Sequence, residues 1–153
     1  MSGPTAQRGY TIKEAAALTG LPASTLRYYE SIGVVPPISR GASSKHRVYD
    51  EDDLDQLMWV ACLAATGLSV ADMRRYVANG RLGPAAAAEQ VELLAQQRDR
   101  LRVEATQVAL RQEYVDLKIA YWEAVEAGDD ARTELLSGQA RALADRLKAV
   151  GKP

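Results

Sequence analysis

The side chains best suited to chemistry in this 153-residue chain lie within its first 50 residues, starting with Arg-Tyr-Tyr-Glu at positions 27–30. A guanidinium can pair in a bidentate manner with a guanine edge or a phosphate, and a tyrosine hydroxyl suits phosphate oxygens. Arg27 and Tyr28 are therefore candidates for contact with nucleic acid. Neighbouring residues on a helix diverge by about 100°, so Tyr29 is expected to have a structural role.

A second group of cations follows at Arg40, Lys45, His46 and Arg47. The segment from residue 8 to residue 49 holds six basic and two acidic residues, although the whole chain has a net charge of −1. This asymmetry favours a local site for a polyanion, although such a stretch also occurs on ordinary protein surfaces.

The candidate residues fall on a predicted helix-turn-helix. Thr11 and Glu14 have the spacing of a capping box, which predicts the start of a first helix. Ser24 is the predicted N-cap of a second helix that ends near Ser31 or Ile32, before Gly33. Ser24 and Thr25 would then lie at an exposed helix N-terminus, where hydroxyls and the helix dipole favour phosphate.

A small β wing is predicted to follow the second helix. Residues 34–37, Val-Val-Pro-Pro, cannot continue a helix. Residues 38–40 and 47–49 flank a polar segment, which indicates two short strands with the remaining cations at their tip. His46 is interpreted as a neighbour of phosphate at this tip, since no second ligand stands at metal-binding spacing.

Two further helices are predicted between residues 50 and 78. Asp50 caps the first of them, and acidic residues 51–53 then oppose the positive end of its dipole, a role that we prefer to metal binding. Apolar residues follow a helical period from Leu54 to Leu68, and Ser69 with Asp72 opens the next helix. Residues 79–84 are predicted to form a linker.

The longest predicted element is a helix over residues 85–127, which contain no Gly or Pro. The helix would be about 60 Å long, and its apolar residues alternate at spacings of four and three, the pattern of a coiled-coil seam. A second copy of the chain is the expected partner, and packing against its own domain is the alternative. The seam comprises Leu94, Leu101, Val108, Val115, Ile119 and Trp122.

Several classes of function are not supported by the composition. The single cysteine and the single histidine are too few for a metal site built from protein ligands, and they do not form the thiol and base pair of a thiol enzyme. A single cysteine also fits a protein of the reducing cytoplasm. No apolar run is long enough for a membrane span, and residues 1–9 are polar and lack the apolar core of a signal peptide. We therefore expect no catalytic residues, no metal and no cofactor.

Together these motifs resemble the MerR family of bacterial transcription regulators over residues 10–127. Three segments show the resemblance: residues 10–16, then Thr-Leu-Arg-Tyr-Tyr-Glu at 25–30 with Gly33 and the prolines at 36–37, and His-Arg-Val-Tyr-Asp at 46–50. The resemblance implies an antiparallel coiled-coil homodimer on a pseudo-palindromic promoter operator, which is distorted for use by RNA polymerase. It implies DNA contacts at Arg27, Tyr28, Arg40 and Arg47, and weaker ones at Thr11, Ser24, Lys45 and Tyr49.

Cys62 is the candidate sensor. Its surroundings, Cys-Leu-x-x-Thr-Gly-x-Ser at 62–69, are similar to the aldehyde and nitrosative-stress branch of the family (AdhR/NmlR type), where such a cysteine is the proposed electrophile sensor. The alternative is a small apolar filler on the core face, one turn after Met58. A regulator that senses a small organic ligand, or an adaptor whose head binds a protein, also remains open.

We thus predict a mostly α protein with a small β wing. Its predicted parts are a disordered tail (1–9), a winged helix-turn-helix domain (10–79), a coiled-coil helix (85–127) and a short C-terminal helix (131–150).

Overall fold

The computed structural model describes residues 8–150, and most of them are helical, as predicted. The predicted tail lies outside the described residues except for Arg8 and Gly9. A short 3₁₀ turn, Gly83–Ala86, joins the fourth helix to the fifth. The helices are α1 (Ile12–Thr19), α2 (Ala23–Ser31), α3 (Glu51–Ala65), α4 (Val70–Leu82), α5 (Ala87–Glu126) and α6 (Asp130–Val150).

The first two helices form the predicted pair. The capping box that opens α1 is present, because Thr11 Oγ1 accepts from Glu14 N (3.1 Å) and Glu14 Oε1 accepts from Thr11 N (3.2 Å). The predicted N-cap at Ser24 is wrong. Pro22 precedes α2 with a φ of −58° and makes no side-chain cap, so Ser24 lies inside the first turn.

The predicted β wing is reduced to isolated bridges, and the structure describes no β strand between residues 8 and 150. The first arm (residues 38–40) and the second arm (residues 47–49) meet in one antiparallel bridge between Arg40 and Arg47. The N–H of Ile38, in the first arm, donates to the side chain of Glu30 in α2 (2.9 Å). We use "wing" below for residues 38–49.

The caps of α3 and α4 are the predicted ones. Asp50 accepts from the N–H of Asp53 (2.8 Å), and Ser69 accepts from the N–H of Asp72 (3.1 Å). Burial raises the pKa of Asp53, whose carboxylate accepts in turn from the N–H of Asp50. The acidic first turn of α3 therefore has a structural explanation without a metal.

The buried face of α3 agrees with the prediction at Leu54 and Leu57 but not at Met58, which the helical period also predicts on that face. Leu54, Leu57 and Val60 are buried, whereas Met58 is 46% exposed. Apolar spacing of three and four residues allowed either set, and packing against α1 and α4 selects the first.

The predicted linker over residues 79–84 is wrong, because α4 continues to Leu82. Asn79 is buried and donates from Nδ2 to Gln90 Oε1 (3.2 Å). Gln90 Nε2 donates to the carbonyl of Tyr76 (2.8 Å). These bonds connect α4 to the first turn of α5 and satisfy the buried amide.

The chain divides into two compact units, the first ending at Leu94 and the second beginning at Ala95, within α5. The first unit contains the helix-turn-helix, the wing, α3 and α4 around one apolar core. In the second unit, Gly128 (φ 68°) makes the turn between α5 and α6, and Asp129 caps α6 by accepting from Arg132 N (3.0 Å). Buried apolar residues of this unit are Leu110, Ala124, Leu136, Ala140 and Leu143.

Candidate nucleic-acid interface

Helix α2 presents one polar and one apolar face. Arg27 and Tyr28 are exposed, with Tyr28 at 51%, whereas Leu26 and Tyr29 are buried in the core. The rotation between successive residues separates the two tyrosines, so that Tyr28 faces solvent and Tyr29 anchors the helix. The outer face of α2 thus carries a guanidinium and a phenol that are free to meet a ligand.

A cavity of about 240 Å³ lies where α1, α2 and the wing meet. Guanidinium groups in such a concave site can bind phosphate oxygens through several hydrogen bonds at once. The lining brings together five of the residues predicted from the sequence, because the start of α1, the outer face of α2 and the wing converge there. We call this the cationic cavity; it is lined by Thr11, Ile12, Arg27, Arg40, His46 and Arg47.

Arg47 is more constrained than the sequence suggested. Its Nε donates to Glu30 Oε2 (3.1 Å), and the two side chains are only 19% and 14% exposed. Both oxygens of Glu30 are engaged, since Oε1 accepts from the N–H of Ile38. Arg47 therefore lines the cationic cavity while it is held by α2.

The tip of the wing carries the remaining predicted cations. Arg40 Nη1 donates to the carbonyl of Lys45 (3.1 Å) across the tip. Lys45 has a φ of 56°, a left-handed conformation that reverses the chain direction. Lys45 and His46 are exposed, so both can approach a ligand that the cationic cavity binds.

Hydroxyl groups lie in the cationic cavity at Thr11 and in the first turn of α2 at Ser24 and Thr25. Ser24 is exposed and Thr25 half-buried in the first turn of α2, which has no side-chain cap. The hydroxyl of Thr11 accepts the α1 capping bond and can still donate its own proton. These groups offer hydrogen-bond donors beside the guanidinium groups.

The prediction of Tyr49 as a ligand contact is wrong, because its side chain is fully buried. Its backbone pairs with Tyr10 in an antiparallel bridge, with both N–O distances at 2.8 Å. Burial raises the pKa of the Tyr49 hydroxyl, which has no hydrogen-bond partner among the described residues. Tyr49 belongs to the core that supports the wing.

Cys62 lies on the outer face of α3, where its thiol is exposed. Met58, one turn earlier, is exposed too, so the alternative of a core filler is wrong for the chain as described. Trp59 is 40% exposed and its ring meets Tyr76 edge-on, with centroids 5.6 Å apart. Between residues 8 and 150 there is no group of three or more His, Cys, Asp or Glu residues that could hold a metal.

The predicted seam forms a stripe of exposed apolar side chains along α5. Its six residues, Leu94, Leu101, Val108, Val115, Ile119 and Trp122, are 39% to 65% exposed. Burying this much apolar surface against a partner would be favourable. None of the helices in the described range has the length and apolar character required to span a membrane.

Comparison with known proteins places these features in a family. The pattern of the family described as "MerR HTH family regulatory protein" matches residues 10–80. An uncharacterized HTH-type transcriptional regulator from Haemophilus influenzae is 31% identical over 121 residues, which are 77% of this chain and 87% of that protein. The chain belongs to the MerR family of transcription regulators. The matched relatives are regulators and not enzymes, in agreement with the sequence prediction.

Other relatives match a smaller share of their own length. The transcriptional regulator AdhR of Bacillus subtilis is 36% identical over 90 residues, or 59% of this chain and 64% of AdhR. The uncharacterized regulator YyaN of the same organism matches over 51% of its length. The chain thus spans between half and two thirds of these two MerR family relatives.

Solved structures of the MerR family share the fold. HiNmlR, described as a regulator lacking the sensor domain and bound to promoter DNA, superposes with a TM-score of 0.67 at 24% identity. The match covers 95% of this chain and 98% of HiNmlR. A MerR family protein from Listeria monocytogenes has a TM-score of 0.62 at 32% identity, covering 84% of this chain and 98% of that one.

Proposed function

We propose that the chain acts as a homodimer that binds a pseudo-palindromic promoter operator and distorts the DNA between the two half-sites. The observation that carries the proposal is the cationic cavity, which gathers Arg27 of α2 with Arg40 and Arg47 of the wing on one concave surface. Membership in a family of DNA-binding regulators identifies the expected polyanion as double-stranded DNA. Arg27 and Tyr28 would contact bases or phosphates, and the wing would contact phosphates.

The supporting contacts are proposed for the residues that remain accessible. Each of them offers a cation or a hydrogen-bond donor on the side of the cationic cavity, the α2 N-terminus or the wing tip. They are Thr11, Ser24, Thr25, Arg27, Tyr28, Arg40, Lys45, His46 and Arg47.

The homodimer is proposed from the exposed stripe on α5. The stripe runs from Leu94 to Trp122, about 40 Å at 1.5 Å per residue. An amphipathic helix of this length gains stability when a second helix covers its apolar side. Two copies related by two-fold symmetry would present two recognition helices, the α2 helix of each copy, to an inverted repeat in the DNA.

Control of transcription is proposed to act through the shape of the DNA. Bending or untwisting the spacer costs free energy, which the phosphate contacts of two wings and two recognition helices would offset. We propose RNA polymerase at the same promoter as the partner and the cytoplasm as the location.

We propose that electrophiles are the signal to which this regulator responds, and that Cys62 is the residue that reacts with them. The thiol is exposed on α3, and the sequence around it resembles the aldehyde and nitrosative-stress branch of the family. Covalent addition at this position would change the shape and polarity of the outer face of α3.

Selection of DNA from a pool of random 40-base-pair duplexes tests the DNA-binding proposal. We expect enrichment of an inverted repeat that binds the protein with an affinity that falls steeply with salt. Arg27→Ala should weaken binding by about 10- to 100-fold, the cost of one lost arginine contact, whereas Lys13→Ala, which removes an exposed charge of α1 outside the cationic cavity, should have little effect. Failure to enrich any sequence, with salt-insensitive capture of a protein instead, would favour the adaptor alternative.

A further inference from the structure

The carboxylate of Glu30, in the last turn of α2, holds both arms of the wing. Oε1 accepts from the N–H of Ile38 in the first arm (2.9 Å), and Oε2 accepts from Nε of Arg47 in the second arm (3.1 Å). The Glu30 and Arg47 side chains are 14% and 19% exposed, so solvent screens this pair much less than a surface ion pair.

The backbone bonds of the wing join its arms to each other or join Tyr49 to Tyr10. Val48 N donates to the carbonyl of Ser39 (2.8 Å), and Gly41 N donates to the carbonyl of His46 (2.9 Å). These bonds set the register of the two arms, but they do not connect either arm to α2. Within the described residues, the polar link between the wing and α2 is the carboxylate of Glu30, which adds to the apolar packing of Ile38 and Tyr49 in the core.

The cations of the cationic cavity come from both sides of this link. Arg27 belongs to α2, whereas Arg40 and Arg47 belong to the wing. Their mutual spacing depends on where the wing stands relative to α2. Preorganised donors bind phosphates more tightly than donors that must be ordered during binding.

We infer that Glu30 is a positioning residue for DNA binding, which sets the spacing between the Arg27 and Arg40 guanidinium groups by holding the wing against α2. This inference rests on the proposed DNA-binding function. It assigns an acidic residue, with no direct contact to DNA, a favourable part in binding a polyanion.

The sign of the effect of Glu30→Gln distinguishes positioning from simple electrostatics. Glutamine keeps an acceptor for the N–H of Ile38 but removes the charge that holds Arg47. Coulomb's law alone predicts tighter DNA binding, since one negative charge beside the cationic cavity disappears. The positioning role predicts weaker binding.

The test compares the affinities of the wild-type protein and Glu30→Gln for the duplex that the wild-type protein enriches. We expect Glu30→Gln in the full chain to bind about tenfold more weakly, because a shielded ion pair loses one partner. Asp55→Asn, which removes an exposed charge from α3, is the matched control and should not weaken binding. Equal or tighter binding by Glu30→Gln would overturn the inference.

A double-mutant cycle separates positioning from a loss of overall stability. If Glu30 acts through the wing, Glu30→Gln should weaken binding by much less than tenfold in an Arg40→Ala background, where the positioned cation is already missing. Multiplying losses in the double variant would mean that Glu30 does not act through the wing, which contradicts the inference.

Amide hydrogen exchange tests the positioning without DNA. The N–H groups of Val48 and Gly41 should exchange faster in Glu30→Gln and at the wild-type rate in Asp55→Asn. Unchanged protection in Glu30→Gln overturns the inference whatever the DNA result. The two proposals can fail separately. If the wild-type protein enriches no duplex, the proposed function is contradicted, but faster exchange in Glu30→Gln would still support the role of Glu30 in holding the wing.

Discussion

At the scale of single residues, Tyr49 shows how a residue of the family motif can serve the core. Its ring is buried and its hydroxyl has no partner in the described part of the chain, so the hydroxyl loses hydration without a compensating bond. The ring supports the bridge to Tyr10 that holds the second arm of the wing. The contribution of Tyr49 should therefore come from its apolar volume.

We predict that Tyr49→Phe leaves the free energy of unfolding unchanged or raises it by up to about 1 kcal/mol, because it removes an unsatisfied polar atom. Tyr49→Ala should lower it by about 3–5 kcal/mol through lost contacts and a cavity. Urea denaturation measures both values. DNA affinity should be unchanged in Tyr49→Phe. A marked loss of affinity would mean that the Tyr49 hydroxyl contacts DNA in spite of its burial in the free protein.

Cys62 offers a second prediction at this scale. It is the one cysteine in the sequence, so any thiol modification of the chain occurs there. Its exposed position means that serine can replace it without disturbing the core. We expect Cys62→Ser to fold and bind DNA like the wild type.

Treatment with an α,β-unsaturated aldehyde should change the DNA affinity of the wild-type protein and leave that of Cys62→Ser unchanged, since the thiolate is the nucleophile. Mass spectrometry of the same samples reports whether Cys62 carries the adduct. An identical response in both proteins would remove the sensor proposal and favour a regulator of small organic ligands.

At the scale of helices and turns, the parts that were predictable from sequence are those determined by residues three or four positions apart. The caps at Thr11, Asp50 and Ser69 depend only on such local hydrogen bonds. The outer face of α2 also followed from local geometry, because rotation along a helix separates Tyr28 from Tyr29.

The parts that were not predictable depend on contacts between distant residues. The linker prediction failed because Asn79 bonds to Gln90, eleven positions away, which stabilises the end of α4. The predicted strands are reduced to isolated bridges, and the N–H of Ile38 bonds to Glu30, eight positions earlier in the chain. The sequence singled out five residues of the cationic cavity, but no local pattern indicated that Arg47 would be held by Glu30.

The apolar stripe of α5 leads to a prediction at the scale of this helix. Leu101, one of its six residues, is 39% exposed in the single chain and would be covered in a dimer. Leu101→Asp should weaken the dimer by about 100-fold or more, since it would bury an unpaired carboxylate. Sedimentation velocity measures the change.

Val103→Asp is the matched control, because Val103 is also an exposed apolar residue of α5 but lies two positions from the seam. It should sediment like the wild type. If Leu101→Asp also sediments like the wild type, the coiled-coil assignment is wrong.

At the scale of the whole molecule, DNA binding depends on two features that the sequence separates by more than 40 residues. The first unit provides one recognition surface, whose cations suit one half of an operator. The stripe on α5 provides a way for two copies to associate, and a two-fold dimer reads DNA with matching two-fold symmetry. The central claim is therefore that two equivalent surfaces bind one duplex.

Hydroxyl-radical footprinting of the enriched duplex tests this claim most directly, because it maps the protected sugars of each strand. We expect two equivalent protected segments, related by two-fold symmetry and separated by about one helical turn or a small multiple of it. A single protected segment, or uniform protection along the duplex, would contradict it.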